Sequence, residues 1–457
     1  MANGITIASR PSYVSTTNAC KLCTPLGAAL AFKGIEGAVP FLHGSQGCAT
    51  YMRRYVISHF REPVDIASSA LGEKNAVFGG GPNLKKGILN VMKKYGPQLV
   101  GVASTCLTET IGDDLRMILD EFRREFSDLD LPEIVHVSTP SYAGTHTDGF
   151  TRAVAATVAQ VCTGQAPAAE TVNLLPSFVS CADLRHLKEL ARAFGLTPIL
   201  LPDHSETLEG PALLDYERIP QGGTPLASIR AMSGSRASLQ MGRCTGSVNA
   251  ADDLARRFGV PARHLGLPMG LRESDALLDA LSEISGRPIP RELELTRGRL
   301  VDSYVDGHKY LFGKRAVVYG DEDLVAGLCA FLSEIGIQVV LAATGSTGTG
   351  LTEAVRELCA ETSRELPEVR EGADFHDIAD EAGRMEPDLL VGHSKGFRYA
   401  RQWGVPLVRV GFPIHDRFGA QRIATLGHQG AQTLYDRLVN AILDKQQSDS
   451  PVGYTYL

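Results

Sequence analysis

Three of the nine cysteines in this 457-residue chain stand where a thiolate can do chemistry. Cys23 lies in NACKLCTPLGAA, directly before Thr-Pro. Cys48 ends LHGSQGC, a loop with two glycines. Cys106 follows the apolar run LVGVAST and precedes LTETIGDD. Each is expected at the end of a strand or helix, where the backbone turns and a side chain can point into a cleft. Iron–sulfur clusters take cysteine thiolates as ligands, normally four for a simple cluster. Glycine beside a ligand lets the backbone approach bulky sulfide closely, and N–H groups of such turns donate to cluster sulfurs. The separations are 25 residues (23 to 48) and 58 residues (48 to 106). Neither matches a compact ferredoxin run or a CxxC zinc pair. Three thiolates do not complete a four-cysteine site, so further ligands would come from another residue type or another chain. Spacing alone leaves the alternative open that these are small buried hydrophobes. Cys20 makes a CxxC with Cys23, but no second CxxC closes a zinc site, and Cys20 reads as a bystander. Cys162, Cys181, Cys244, Cys329 and Cys359 fall among apolar neighbours in expected helices or strands and read as core.

The elements that must position these thiols repeat along the chain. Short aliphatic runs end in Gly, Ser or Thr and lead into helical stretches: PQLVGVAST (97–105), EIVHVSTPS (133–141), ETVNLLPSF (170–178), TPILLPD (197–203), RAVVYGD (315–321), IQVVLAATG (337–345), PDLLVGHS (387–394) and VPLVRVGFP (405–413). Near-continuous apolar strands are covered on both faces. Strands alternating with helices predict α/β domains, doubly wound and Rossmann-like, with mostly parallel sheets. Ligands in such folds gather beyond the carboxyl ends of the strands. The length predicts about three domains. GQAPAAET (164–171) reads as a linker, and ISGRPIPRELELTRGR (284–299) as two prolines followed by a helix leading into the last unit. The expected domains are 1–165, which carries the three cysteines, then 166–300 and 301–457. The tail QQSDSPVGYTYL is expected to be loosely ordered.

Composition excludes several classes. The net charge of −7 argues against a nucleic-acid-binding surface. No apolar run reaches 18 residues, so no membrane span is expected. The start, MANGITIASRPS, lacks a basic segment followed by an apolar one. The expected compartment is the cytoplasm, where disulfides are disfavoured. GSTGTGL (345–351) lacks the lysine of a P-loop, and GGGPN (79–83) is no dinucleotide fingerprint. No ATP-binding loop is therefore read in this chain.

Taken in order, NACKLCTPLGAA, HGSQGC, HFREP, AVFGG, STCLTETIGDDL and TPSYAG resemble the β-subunit of the nitrogenase molybdenum–iron protein and its relatives. SEISGRPIP, RGRLVDSYVDGHKYLFGKR and VPLVRVGFPIHDR extend the similarity over nearly the whole chain. The resemblance implies a P-cluster of eight irons and seven sulfides shared with an α-type subunit, three cysteines coming from each side. The matching positions are Cys23, Cys48 and Cys106. Ser141, in the TPS motif, matches a serine that can ligate iron in the oxidised state. His43 and Ser45 share the loop of Cys48, and Tyr51 matches a residue near the path toward the catalytic cofactor. Phe78 matches a position in the docking surface for the ATP-dependent iron protein. The resemblance also implies an α2β2 heterotetramer and a catalytic iron–sulfur cofactor in the partner chain, so that this subunit relays electrons and holds no substrate.

Within the family, three readings compete. A working reductase is favoured by the retained Cys23, Cys48, Cys106 and Ser141, and methylthio-alkane reductase, which cleaves C–S bonds, is the specific expectation. The β-like half of a cofactor-assembly scaffold is suggested by LLPDHSETLEG and PQGGTPLASIRAMSGS within 200–235 and by the lack of a long N-terminal extension. A scaffold of that type usually lacks cysteines matching Cys23 and Cys106. A true dinitrogenase β-subunit is the third. Outside the family, a non-catalytic α/β binding module leaves the three motif-embedded thiols without a reason.

Overall fold

The computed structural model describes residues 20–452 except 166–169, 216, 245, 247 and 364. The start 1–12, most of the expected linker at 166–169 and the tail from 453 lie outside the described residues.

The first sheet is laid down as α1 (Thr24–Lys33), β1 (Ala38–His43), α2 (Gln46–Phe60), β2 (Ala67–Ser68), α3 (Glu73–Phe78), α4 (Gly81–Tyr95), β3 (Leu99–Ser104), α5 (Cys106–Ile111), α6 (Leu115–Glu125), β4 (Glu133–Val137) and α7 (His146–Val161). Its order is β2-β1-β3-β4, every ladder parallel. The second sheet, order β6-β5-β7-β8, comprises β5 (Thr171–Pro176), β6 (Thr197–Leu200), β7 (Ser238–Met241) and β8 (Ala262–Leu265), with α8 (Cys181–Ala193) following β5. The third, order β11-β10-β9-β12-β13, comprises β9 (Arg315–Gly320), β10 (Gln338–Thr344), β11 (Glu368–Arg370), β12 (Leu389–Gly392) and β13 (Leu407–Arg409). Three parallel α/β units are thus present, as the strand–helix alternation predicts. β1 and β3 are fully buried along their length, which is why both read as apolar runs without alternation.

All eight expected strands form. Five others were not legible. β1 contains Pro40, which argues against a central strand because it cannot donate to a ladder. The sheet accommodates it because β2 pairs with β1 only at Phe41 and Leu42, leaving Pro40 paired to β3 alone. β7, β8, β2 and β11 are four residues or fewer, too short for a periodic signal.

The tail reading is corrected in part: a helix running Gly427–Asp449 extends through the first residues of QQSDSPVGYTYL. Its last turns continue a helix whose buried face, including Leu434, Leu438 and Ile442, is anchored earlier. The helix expected after 284–290 runs Arg291–Leu311. No helix among the described residues is long and apolar enough to cross a membrane.

Candidate metal centre

In a doubly wound sheet of order 2-1-3-4, the chain leaves β1 and β3 toward opposite faces, opening a crevice at their carboxyl ends. The loops after β1 and β3 meet there. A Cβ on Gly44 would stand 2.3 Å from the Thr105 hydroxyl, so only glycine allows the contact. Thr105 and Thr108 both donate to the His43 carbonyl at 3.0 Å. Cys48 and Cys106 flank this point, Cys48 in the first turn of α2 and Cys106 as the first residue of α5.

Cys23 reaches the same place from another direction. It is the N-cap of α1, whose N-terminal end packs tightly on α7. Cβ atoms on Gly27 and Gly149 would lie 1.6 Å from the His146 carbonyl oxygen and 1.9 Å from that of Thr24, respectively. All three thiols therefore sit at helix N-termini, where backbone N–H groups lack intrahelical acceptors.

Ser141 joins two of them. Its N–H donates to the Cys106 sulfur at 3.2 Å. Its hydroxyl oxygen accepts from the Thr24 N–H at 3.2 Å and hydrogen-bonds Cys23. The hydroxyl thus caps α1, 117 residues away in sequence, satisfying an N–H that α1 itself leaves without an acceptor. Ser45 donates to the Cys48 sulfur at 3.5 Å. Desolvation pushes the Cys23 thiol above its ordinary value; the Ser141 hydrogen bond opposes this, and the charges of Cys106 and Cys48 push it further up. The three sulfurs thus share one electrostatic environment. Cys23 is exposed, and Cys48 and Cys106 are half-buried.

Cys23 and Ser141 line a recess of about 390 Å³ together with Tyr51, Tyr55 and Lys395. Tyr51 is exposed, its hydroxyl 2.9 Å from that of Tyr55. Phe78 closes α3 at 76% exposure beside Val77 at 77%, far more apolar surface than an ordinary packing aromatic would show. His43 ends β1, at the start of the loop that leads to Cys48. Its ring is wholly buried, 3.0 Å from Ser69 Oγ through Nδ1 and 3.0 Å from Asp113 Oδ2 through Nε2. Burial lowers its pKa, against the pull of Asp113. Its ring anchors the loop, and its carbonyl receives the threonines beside Cys106.

The other cysteines are all buried. Cys20 packs 3.7 Å from His393 Nε2, and burial pushes its thiol up to about 12, so it is protonated and inert. Cys162 and Cys244 differ from expectation in lying just past a helix and a strand, though still in core. Sequence reading missed Lys395. It follows the carboxyl end of β12 in VGHSKG, the position where parallel sheets gather ligands, and that signal was available. It also missed Asp113, which receives the Gly80 N–H at 3.0 Å and fixes His43. GSTGTGL does form an anion cradle, but an internal one: the N–H groups of Gly348, Thr349 and Leu351 donate to the Glu371 carboxylate.

Among the described residues, no three His, Cys, Asp or Glu side chains approach closely enough to hold a single metal ion. Cys23 and Ser141 at an open recess, with Cys106 bonded to the Ser141 N–H and Cys48 close enough for its charge to act on Cys23, would fit a larger bridging group that completes its ligation from outside the chain.

The sequence profile of the family described as "Nitrogenase component 1 type Oxidoreductase" matches residues 23–443. The chain is 35% identical over 431 residues to the nitrogenase molybdenum–iron protein beta chain of Clostridium pasteurianum, spanning 94% of this chain and 93% of that one. It is also 35% identical over 432 residues to the nitrogenase iron-molybdenum cofactor biosynthesis protein NifN of Rhodobacter capsulatus, spanning 93% and 91%. The solved structure "Nitrogenase Cp1 at pH 6.5" superposes with a TM-score of 0.94 at 33% identity, covering 99% of this chain and 98% of that one. On these grounds the chain belongs to the nitrogenase component 1 type oxidoreductase family, among proteins similar to the molybdenum–iron protein beta chain and NifN.

Proposed function

We propose that this chain is the β-type, electron-relay subunit of a cytoplasmic nitrogenase-like reductase. Cys23, Cys48 and Cys106 would hold its half of a P-type iron–sulfur cluster, and an α-type partner the other half, in an α2β2 assembly. The observation that carries the reading is the meeting of three thiols at three helix N-termini, two of them joined through Ser141. Such a cluster, when bound, supplies one-electron transfer between an ATP-dependent iron protein and a catalytic cofactor in the partner. This chain's residues do the holding. Helix N-termini present backbone N–H groups that lack intrahelical acceptors, Ser45 and the Ser141 N–H donate to sulfur, and the Ser141 hydroxyl stands ready as a hard oxygen ligand. Tyr51 lines the same recess as Cys23, and Phe78 offers an exposed apolar face for the iron protein.

Two measurements test this on the anaerobically purified complex. Cys48→Ala is expected to lose iron and change the electron paramagnetic resonance spectrum; unchanged iron and spectrum would remove the cluster assignment. Phe78→Ala is expected to slow ATP-dependent electron delivery by about tenfold or more, the scale of losing a central interface aromatic, at unchanged iron content.

The second reading, a β-like subunit of a cofactor-assembly scaffold, is favoured by the equal identity to the biosynthesis protein. Cofactor transfer to another apoprotein without turnover would select it. For the reductase, methylthio-alkanes are the proposed substrate class. The support is the combination of retained thiols with a scaffold-like segment at 200–235. Parallel assays of methylthio-ethanol, acetylene and dinitrogen reduction decide between C–S cleavage and dinitrogenase activity.

A further inference from the structure

A second cavity, of about 680 Å³, lies away from the thiols, at the seam between the C-terminal end of α1 and the segment that follows β6. That segment is clamped over the helix end. Asp203 and Thr224 donate their N–H groups to the Gly34 carbonyl at 2.9 and 2.8 Å, and the Thr207 hydroxyl donates to the Lys33 carbonyl at 2.7 Å.

Lys33, the last residue of α1, is 6% exposed and lines this cavity. Among the described residues its ammonium has no hydrogen bond and no ion pair. Asp65 is the carboxylate whose charge it feels, and Asp65 is already engaged by the Tyr95 hydroxyl at 2.9 Å and by Arg53 at 3.5 Å. A lysine this buried is ordinarily paired. In the same cavity Glu217 is half satisfied: one carboxylate oxygen accepts from the Gln221 amide at 2.7 Å, and the other is buried without a partner among the described residues. The rest of the lining mixes apolar side chains, among them Val39, Leu213 and Ile219, with further carboxylates and Arg218.

A buried cation without an ion-pair partner, a buried carboxylate oxygen without a donor and apolar patches in one cavity point to a zwitterion with a hydrocarbon part. We propose that this cavity binds a free α-amino acid with an apolar side chain, its carboxylate on Lys33 and its ammonium on Glu217. Few small molecules carry both charges on one carbon beside a hydrocarbon group. Burial pulls the Lys33 amine down to about 8, so at neutral pH it carries a poorly solvated charge, and an incoming carboxylate gains strength from the low-dielectric setting. The proposal is independent of the cluster assignment, since neither Lys33 nor Glu217 touches the thiol recess.

The test uses isothermal titration of the intact complex with L-leucine, L-methionine and L-phenylalanine. Leucinamide, which lacks the carboxylate, and 4-methylpentanoate, which lacks the amine, serve as controls. Saturable binding of at least one amino acid is expected, weakened about tenfold or more in each control, the worth of one charge-assisted hydrogen bond. Lys33→Met is expected to abolish binding and to raise the melting temperature of the unliganded complex. Glu217→Gln, on the exposed segment, is expected to weaken binding without altering iron content. Three results would each overturn the proposal: no saturable heat with any of the three amino acids, unchanged affinity in Lys33→Met, or a lowered melting temperature in Lys33→Met. The last would mean that Lys33 and Glu217 pair directly with each other in solution.

Discussion

A side chain's meaning in this molecule is set by what reaches it from elsewhere. Ser141 lies far from Cys23 in sequence, yet its hydroxyl caps the helix that Cys23 begins, and its N–H meets Cys106. Lys33 is the opposite case, a charge that no hydrogen bond or ion pair reaches among the described residues. Its amine drops from an ordinary 10.5 to about 8 in the folded chain. Between those values the unfolded chain binds more protons than the folded one, so stability rises with pH across that window. Below about 8 the burial penalty is present in full. Lys33→Met is therefore expected to be more stable than the parent at neutral pH by up to about 3 kcal/mol. The gap should close between pH 8 and 10.5. Urea unfolding of the two proteins at several pH values checks this, and a gap that stays constant would show that the amine is not desolvated.

Among the elements, the α1–α7 pair sets the position of Cys23. Its helices approach through Gly27 and Gly149, and any Cβ at these positions meets backbone. Backbone cannot swing aside as a flexible side chain can. Gly149→Ala is expected to cost about 3 kcal/mol or more, the upper range for overpacking. The displacement falls on Thr24, beside Cys23, so thermal denaturation should shift down and iron retention should fall with it. A neutral Gly149→Ala would mean that the crossing is looser than described. The loops after β1 and β3 are interlocked in the same manner, through Gly44 against Thr105 and the His43 carbonyl between two threonines. β1 itself was not legible because Pro40 interrupts it, although its neighbours HGSQGC are the most informative residues in the chain.

At the scale of the whole molecule, polar bridges hold the three sheets together. Asp183, on α8, accepts from the N–H groups of Thr425 and Leu426 at 2.7 and 2.9 Å and from the Thr425 hydroxyl at 2.9 Å. Burial raises its carboxyl, and these donors oppose the rise. Asp183→Ala strands three buried donors at once. The expected loss is about 3 kcal/mol or more, since each unsatisfied buried group costs 1–3 kcal/mol or so. A single cooperative transition at lower temperature would be the result; no change would mean that water replaces the carboxylate. His146 Nε2, 3.0 Å from Asp321 Oδ1, and Thr147, donating to Glu322 at 2.7 Å, tie the first sheet to the third in the same way. These bridges keep α7, and through it Cys23, aligned with the other two thiols.

The repeating strand–helix pattern determined a parallel α/β architecture, because strands buried on both faces must be apolar throughout and a parallel return needs a helix. The motifs around Cys23, Cys48 and Cys106 determined the family, because a thiol flanked by glycines and turns is a local chemical statement. What the chain could not state locally is convergence. That Ser141 joins Cys23 to Cys106, that His43 turns inward to Asp113, that Glu371 fills the cradle of GSTGTGL and that Lys33 is left without a counter-ion all depend on residues tens to hundreds of positions apart. Only packing decides which of them meet, since burial and hydrogen-bond partners are properties of space and not of order along the chain.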